Sequence, residues 1–275
     1  MPVKQDASGR RSLALEFEVP GTPEQVWDAI ATGPGISSWF VPTKVETRAG
    51  GVVAFHLGPG MDSSGHVTAW EPPRRFAYEE SEWIGGDAPP LASEFIIEAR
   101  TGGTCTVRIV HSLFTSQDDW DDQLGSMETG WQAFFGVLRI YLRYFPGLRS
   151  ATIRPTGHYL GSHDAAWNSL KDRLALSGAA LGEERDTSRN GAPQLVGTVA
   201  RVAANPQTSE LMLRLERPAP GVALIGTYVW ESQVKVAISL YIYGDDADAI
   251  VAREGAIWQA WVEKHFPLKE PEPAG

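Results

Sequence analysis

A short motif that occurs twice constrains this chain more than any other feature. Residues 21–30 read GTPEQVWDAI and residues 161–170 read GSHDAAWNSL, and the two align without a gap. Both combine a glycine, a hydroxyl residue, an acidic residue and a tryptophan, as expected at the start of a capped amphipathic helix. Trp-Gln-Ala plus an aromatic residue also occurs twice, at Trp131 and at Trp258. Chance recurrence in amphipathic helices is the alternative, and the gapless register favours an internal repeat.

The first copy of the motif lies in a predicted sequence of strand, helix, strands and long helix. The alternating segment LALEFEV precedes the motif, and turn signals at Gly50-Gly51, Pro72-Pro73 and Gly102-Gly103 predict three hairpins after it. Apolar residues at spacings of three and four then predict a helix from Trp120 to Phe145, with Ser116 as its cap, favourable charges at Asp118 and Asp119, and Pro146-Gly147 as its end.

The second copy of the motif is followed by a shorter version of the same order. Four strand-like runs lie between Gln194 and Gly244, and Asp245-Asp246 precedes a closing helix that carries Trp258. The sequence therefore predicts an α+β chain of two tandem units. We expect a first domain at residues 1–150 and a second, shorter domain at 151–275, built from a helix, about four strands and a helix.

Composition excludes several classes of partner. The formal net charge is -10 and neither half of the chain has a basic stripe, which argues against nucleic acid and against an anionic membrane surface. Cys105 is the only cysteine, so intramolecular disulfides and cysteine-based metal sites are excluded. The first residues lack the apolar segment of a signal peptide, and no run is long enough to span a membrane. These features predict a cytoplasmic protein.

Longer segments of the first half resemble a known superfamily. The segments that show the resemblance are PEQVWDAIATGPGISSWF, RAGGVVAFHL, GHVTAWEPPRRFAYEESEW, GGTCTVRIVHSLF and METGWQAFF. With them, residues about 12–147 resemble the SRPBCC superfamily (START/Bet v 1-like), and more narrowly its AHSA1-like branch. The resemblance implies a helix-grip fold, in which a curved antiparallel sheet wraps around a long C-terminal helix. Residues 151–270 resemble a degenerate second copy, mainly through the internal repeat.

The sequence departs from the family pattern at two places. Glu79 and Glu80 stand where Thr-Trp is usual, and Leu113 stands where glycine is common. The first departure predicts an interior that is more acidic than is typical of the family.

A sheet that curves around one helix often leaves an apolar cavity between them, which is the usual form of a small-molecule site. Strand parity puts His111 on the same face as Val107, Ile109 and Leu113, and puts Phe76, Tyr78, Glu80 and Glu82 on one face of another strand. A carboxylate on an apolar face must be paired, protonated or beside a cavity. The predicted ligand-binding residues are Phe76, Tyr78, Glu80, His111, Trp131, Phe134 and Phe135, with Glu80, His111 and Tyr78 as candidate catalytic residues.

Each candidate also has a purely structural interpretation. His111 fits a hydrogen-bonded core or rim histidine, Glu80 fits a strand end in water, and the aromatic stripe from Trp131 to Phe135 fits helix-to-sheet packing. The acidic run from Asp118 to Asp122 fits a solvated helix start better than a metal site. Cys105 fits a passive strand residue. The sequence contains no P-loop, zinc-protease motif or nucleophile elbow, so we predict neither a metal nor a cofactor.

Three functions are compatible with these features. The preferred one is binding of a small hydrophobic or amphipathic molecule in the first domain, without turnover. The second domain would then serve as a lid, a surface for a homodimer or a regulatory copy. The superfamily also includes polyketide cyclases and aromatases, so the alternative is an enzyme of that type with Glu80 or His111 as general base. A lesser alternative is an Hsp90-type co-chaperone, which the name of the AHSA1-like branch implies.

Overall fold

The chain forms two compact units, residues Met1–Leu148 and Arg149–Gly275. A computed structural model describes residues 3–5, 11–58, 62–81, 83, 88–113, 115, 121–230 and 232–268, without the side chains of Gln5 and of residues 121–126. Both units combine an antiparallel sheet with helices. The predicted α+β class in two tandem units is therefore confirmed.

Within the described residues of the first unit, eight strands form one antiparallel sheet. They are β1 (Lys4–Gln5), β2 (Arg11–Pro20), β3 (Thr43–Val45), β4 (Val52–His56), β5 (Asp62–Glu71), β6 (Arg75–Glu80), β7 (Leu91–Arg100) and β8 (Thr104–Leu113). The strand order is β1-β2-β8-β7-β6-β5-β4-β3, so the chain's early strand β2 lies beside the last strand β8. Buried and exposed residues alternate along β2, as expected when one face covers a core.

The predicted turns join these strands. Pro72-Pro73 lies between β5 and β6, and Gly102-Gly103 joins β7 to β8 with positive φ at both glycines. Gly51 lies just before β4, and a Cβ there would come within 2.4 Å of the Glu46 carbonyl oxygen. This close approach is why glycine is required in the connection between β3 and β4.

Three helices accompany this sheet: α1 (Pro23–Ala31), α2 (Gly33–Ser37) and α3 (Asp121–Tyr144). Thr22 caps α1 as predicted, because its hydroxyl accepts from Gln25 N at 3.3 Å while Gln25 Oε1 accepts from Thr22 N at 2.9 Å. The helix α3 ends before Pro146 as predicted. Its predicted cap at Ser116, the charges at Asp118 and Asp119 and the stripe residue Trp120 lie outside the described residues.

The second short helix begins earlier than the sequence suggests. Gly33-Pro34-Gly35 reads as a stop for α1, with a helical turn expected only from Ile36 to Phe40. In the structure these residues form the start of α2, because the Thr32 hydroxyl accepts from Gly35 N at 3.1 Å and caps the new helix. Pro34 fits there because the first turn of a helix needs no proline N–H.

The second unit contains one sheet of seven strands among its described residues. Its strands are β9 (Ser150–Ile153), β10 (Thr156–Tyr159), β11 (Glu184–Asp186), β12 (Val196–Ala204), β13 (Thr208–Arg217), β14 (Gly221–Trp230) and β15 (Gln233–Tyr243), and its helices are α4 (His163–Arg173) and α5 (Ala247–His265), with a 3₁₀ turn at Thr187–Asn190. The order is β10-β15-β14-β13-β12-β11, and β9 also pairs with β15. The four predicted runs lie in β12 to β15, and three short strands join them.

The two units repeat the same order of elements. In each, the strand before the first helix pairs with the unit's last strand, β2 with β8 and β9/β10 with β15. Gly21 and Gly161 both have positive φ, and Thr22 and Ser162 both cap the helix that follows. The tryptophans of the two motifs are both buried.

The two interiors differ in chemistry. The core of the second unit is mainly aliphatic, with tryptophans from α4 and α5; its fully buried members include Leu170, Leu195, Leu213, Ile225, Val236, Ile238 and Leu240. The interior of the first unit is rich in aromatic rings; Phe17 of β2, for example, stacks on Phe135 of α3 with ring centroids 3.9 Å apart. No helix within the described residues has the length and apolar composition needed to cross a membrane.

Candidate functional site

Three polar residues face each other across neighbouring strands on the inner face of the first sheet. Tyr78 of β6 is the register partner of Ser93 of β7, and Ser93 is the register partner of His111 of β8. All three are buried, with 2–4% of their surface exposed. Residues directly opposite each other in antiparallel strands have adjacent side chains, so this register brings a phenol, a hydroxyl and an imidazole together.

Glu80 lies two residues further along β6 on the same inner face. It is 7% exposed, so the alternative of a strand end in water is wrong. Its Oε1 accepts a hydrogen bond of 2.5 Å from the Ser63 hydroxyl of β5. Gly65 lies opposite Glu80, and a Cβ there would fall 2.0 Å from the Glu79 carbonyl oxygen. Glycine therefore lets β5 approach β6 closely enough to join Ser63 to Glu80.

Burial shifts the pKa of this carboxyl group. Desolvation raises the pKa of Glu80 from 4.5 to about 7, against the opposing effect of the Ser63 hydrogen bond. Glu80 therefore changes its charge near neutral pH, inside an apolar layer.

His111 is buried with only one of its two ring nitrogens satisfied. Its Nδ1 lies 2.9 Å from the Ser93 hydroxyl oxygen, whereas its Nε2 is buried with no hydrogen-bond partner among the described residues. Burial lowers the pKa of His111 to about 3, so the imidazole is neutral at pH 7. The ring stacks on Trp131 with centroids 5.3 Å apart and planes at 24°.

Tyr78 neighbours Glu80 along β6 and Ser93 across the strands. Burial raises the pKa of its phenol well above 10, and the negative charge of Glu80 raises it further. The Ser93 hydroxyl acts in the opposite direction and lowers this pKa. Carboxyl, phenol, hydroxyl and imidazole groups thus form one buried polar cluster: Ser63, Tyr78, Glu80, Ser93 and His111.

The predicted aromatic residues surround one side of this cluster. Trp131 of α3 has its ring 6.0 Å from Phe95 and 5.1 Å from Phe40. Phe134, which is half-buried, meets Phe40 edge to face at 4.7 Å. Phe76 and Phe135 are fully buried. These rings pack largely against one another, so this part of the interior is occupied by side chains.

The first unit matches the model of a known protein family. Residues 20–143 match the model of the family described as Activator of Hsp90 ATPase homolog 1-like protein. The first unit is AHSA1-like. No curated protein sequence matches the chain.

Several solved structures are similar to the chain. CalU16 from Micromonospora echinospora is 20% identical over 52% of this chain and 83% of its own, with a TM-score of 0.42. DynU16, a protein of the dynemicin biosynthetic locus, is 17% identical over 90% of this chain and 95% of its own, with a TM-score of 0.43. The Aha1 dimer from Colwellia psychrerythraea is 18% identical over 48% and 96%, with a TM-score of 0.40. At these sequence identities and TM-scores, the similarities support no inference about function.

Sequence reasoning missed two members of the polar cluster in the AHSA1-like unit. Ser63 and Ser93 are small hydroxyl residues on strands, and such residues are as common on solvated faces as on buried ones. Parity was the available signal for Ser93, which alternates with the apolar residues Leu91 and Phe95. Glu82, which the sequence places on the same strand face as Tyr78 and Glu80, lies outside the described residues.

Outside the buried polar cluster we looked for a reactive thiol, a metal site and a second cavity. Cys105 is buried and its thiol contacts the Gly21 carbonyl oxygen at 3.4 Å. No group of three or more metal-ligating side chains occurs within the part of the chain that the structure describes. A shallow depression of about 330 Å³ lies in the second unit and includes none of the predicted site residues; its lining is Gln194, Arg217, Pro218 and Glu254.

Proposed function

We propose that the AHSA1-like unit binds a small, mostly apolar molecule between its sheet and α3. The polar end of the molecule would lie at the buried polar cluster and its apolar part against the rings of Trp131, Phe134 and Phe40. Because these rings pack against one another in the structure, they would have to move apart to admit the molecule. The observation that carries this proposal is His111 Nε2, a buried polar atom beside aromatic rings that has no hydrogen-bond partner in the part of the chain that the structure describes.

The cost of such an atom supports a ligand. Leaving a buried donor or acceptor unsatisfied costs about 1–3 kcal/mol, so folded proteins rarely retain one without a reason. The second unit also buries polar groups, among them His163 beside Thr227 and Glu210 beside Arg201. In the first unit, carboxyl, phenol, hydroxyl and imidazole groups lie on one inner face next to aromatic rings, and this combination favours a role in recognition.

Native mass spectrometry of the freshly purified full chain tests this proposal. We expect a small molecule to copurify with the protein, and we expect Nile red, an uncharged apolar dye, to bind saturably with one site per chain. His111→Phe should weaken Nile red binding. His163→Phe is the matched control, because His163 is a buried histidine of the second unit that contacts Thr227. Absence of both a copurifying molecule and saturable dye binding would refute the proposal.

A second candidate function is acid–base catalysis of the cyclase or aromatase type on a polyketide-like substrate. The observation that favours it is the joining of carboxyl, phenol and imidazole groups in one cluster. Glu80 is suited to the role of general base, because proton transfer is most efficient when the pKa lies near the working pH.

Proton exchange at carbon tests the catalytic candidate directly. Deuterium uptake next to the carbonyl of 1-tetralone, followed by NMR in D₂O, should be faster with the wild type than with Glu80→Gln. Equal rates for the two proteins would leave binding without catalysis.

Three further expectations concern a co-chaperone role, a homodimer and the location of the protein. The co-chaperone role follows from the family's description alone, and a pull-down with Hsp90 would test it. A homodimer is checked by light scattering of the purified chain, and the cytoplasmic location by imaging of a tagged copy.

A further inference from the structure

The buried polar cluster also restricts the chemistry of the ligand, provided that the proposed binding function holds. Ser93 and His111 form a hydrogen-bonded pair, with the Ser93 hydroxyl oxygen 2.9 Å from His111 Nδ1. The hydroxyl and a neutral imidazole each carry one hydrogen that can be donated. Their single hydrogen bond uses one of these hydrogens, so one donor is left over.

The number of unsatisfied groups decides which residue holds the unused donor. If His111 Nδ1 donated to Ser93, the Ser93 hydrogen would have no acceptor and His111 Nε2 no donor among the described residues. In the opposite direction, Ser93 donates to His111 Nδ1. Only the N–H at Nε2 of this pair then lacks a partner among the described residues. Because each unsatisfied buried group is costly, the second direction is favoured.

We propose that the ligand carries an uncharged, carbonyl-type oxygen that accepts a hydrogen bond from the Nε2–H of His111. A carboxylate or phosphate is disfavoured by the carboxyl group of Glu80 on the same face. Arg11, a buried cation of this face, lies on β2 opposite Leu113, two residues from the register partner of His111. A hydroxyl or amine that must donate is disfavoured as well, because Nε2 holds a hydrogen. The apolar remainder of the ligand lies against Trp131, whose ring stacks on the imidazole.

The neutrality of the imidazole supports this assignment. Burial lowers the pKa of His111 to about 3, so a single hydrogen resides on the ring at pH 7. Which nitrogen holds that hydrogen is a direct prediction. Long-range ¹H–¹⁵N correlation spectra of the full chain labelled with ¹⁵N-histidine should show His111 with a protonated Nε2 and an unprotonated Nδ1. A protonated Nδ1 would overturn the inference, and this measurement uses the wild-type protein only.

A matched pair of compounds tests the ligand class. Fluorene and 9-fluorenone have the same tricyclic skeleton, and only the second carries a carbonyl oxygen. We expect the full chain to bind 9-fluorenone about 3- to 10-fold more tightly than fluorene, the range expected for one neutral hydrogen bond. His111→Phe should remove this difference, whereas His163→Phe should keep it.

The outcomes separate this inference from the proposed function. Equal dissociation constants for the two compounds in the wild type would overturn the inference and leave binding intact. Tighter binding of fluorene-9-carboxylate than of 9-fluorenone would overturn it too, because the site would then prefer an anion. Failure of all three compounds to bind, together with failure of Nile red, would refute the proposed binding function itself.

Discussion

At the scale of single residues, the decisive fact is that Glu80 is held inside the protein. A carboxyl group whose pKa is raised on folding binds more protons in the folded state than in the unfolded state between its two pKa values. The free energy of unfolding must then fall as the pH rises through that interval. For Glu80 the interval runs from 4.5 to about 7, so its contribution is complete below the interval and lost above it.

Glu80→Gln tests this dependence. Between pH 5 and pH 8 we expect the wild type to lose up to about 3 kcal/mol of unfolding free energy through Glu80, as its raised pKa implies. The glutamine variant should show a correspondingly smaller loss in urea denaturation at the two pH values. Glu98→Gln, on the exposed end of β7, is the control and should follow the wild type. Identical pH dependence in the wild type and Glu80→Gln would show that Glu80 is ionised in the folded protein at pH 5.

Ser93→Ala tests the hydrogen bond between Ser93 and His111. The change removes the hydrogen-bond partner of His111 Nδ1 and leaves both ring nitrogens unsatisfied. We expect a loss of about 1–3 kcal/mol in unfolding free energy, measured by urea denaturation. Thr106→Ala is a suitable comparison, because the hydroxyl of that strand residue accepts from the exposed Arg100 and its loss should change little. A Ser93→Ala protein as stable as the wild type would mean that water replaces the hydroxyl.

At the scale of helices and strands, the sequence predicted the order of the elements better than their boundaries and pairing. Period-two patterning in β6 and β8 was enough to put Glu80 and His111 on the inner face, because side chains in a strand alternate strictly. It could not join them to Ser63 and Ser93, since register between strands depends on contacts that are distant in sequence. The short strands β9, β10 and β11 were missed for a similar reason: each has too few residues to show a period.

The start of α2 shows why a local signal can mislead. Gly33-Pro34-Gly35 has the composition of a turn, yet these residues are helical because Thr32 caps them and because α2 packs closely on α1. A Cβ at Gly35 would lie 1.9 Å from the Asp28 carbonyl oxygen of α1. Glycine is there for closeness of approach, which no single-sequence pattern reveals.

Two glycine-to-alanine changes separate close approach from flexibility. Gly35→Ala should destabilise the first unit, because either helix must shift to remove the overlap with Asp28. Gly130→Ala is the opposite case, since Gly130 lies inside α3 with open space around the position of a Cβ. There we expect a gain of about 0.5–1 kcal/mol from reduced backbone entropy. Urea denaturation measures both, and a stable Gly35→Ala protein would contradict the tight contact between α1 and α2.

At the scale of the whole molecule, one architecture is used twice with two kinds of interior. The first unit combines aromatic rings with a buried polar cluster, and the second closes around an aliphatic core with Trp258 of α5 at 0% exposure. Trp131 and Trp258 begin the repeated Trp-Gln-Ala motif. Trp131 stacks on the imidazole of His111, whereas Trp258 packs among apolar side chains. Among the described residues, both His111 Nε2 and Trp258 Nε1 are buried without a hydrogen-bond partner. The repeat thus preserves the fold while the inner-face residues determine the chemistry.

A change in the second core tests whether the proposed binding belongs to the first unit. Trp258→Ala removes a large, fully buried side chain and should cost about 3–5 kcal/mol of unfolding free energy. Nile red affinity, measured well below the thermal transition, should stay unchanged because the proposed ligand contacts all lie in the first unit. Trp131→Ala, the equivalent change in the first copy, should weaken dye binding at least tenfold through loss of the ring that stacks on His111. If Trp258→Ala weakened dye binding as much as Trp131→Ala does, the second unit would have to contribute to binding, and the assignment of the site to the first unit would be wrong.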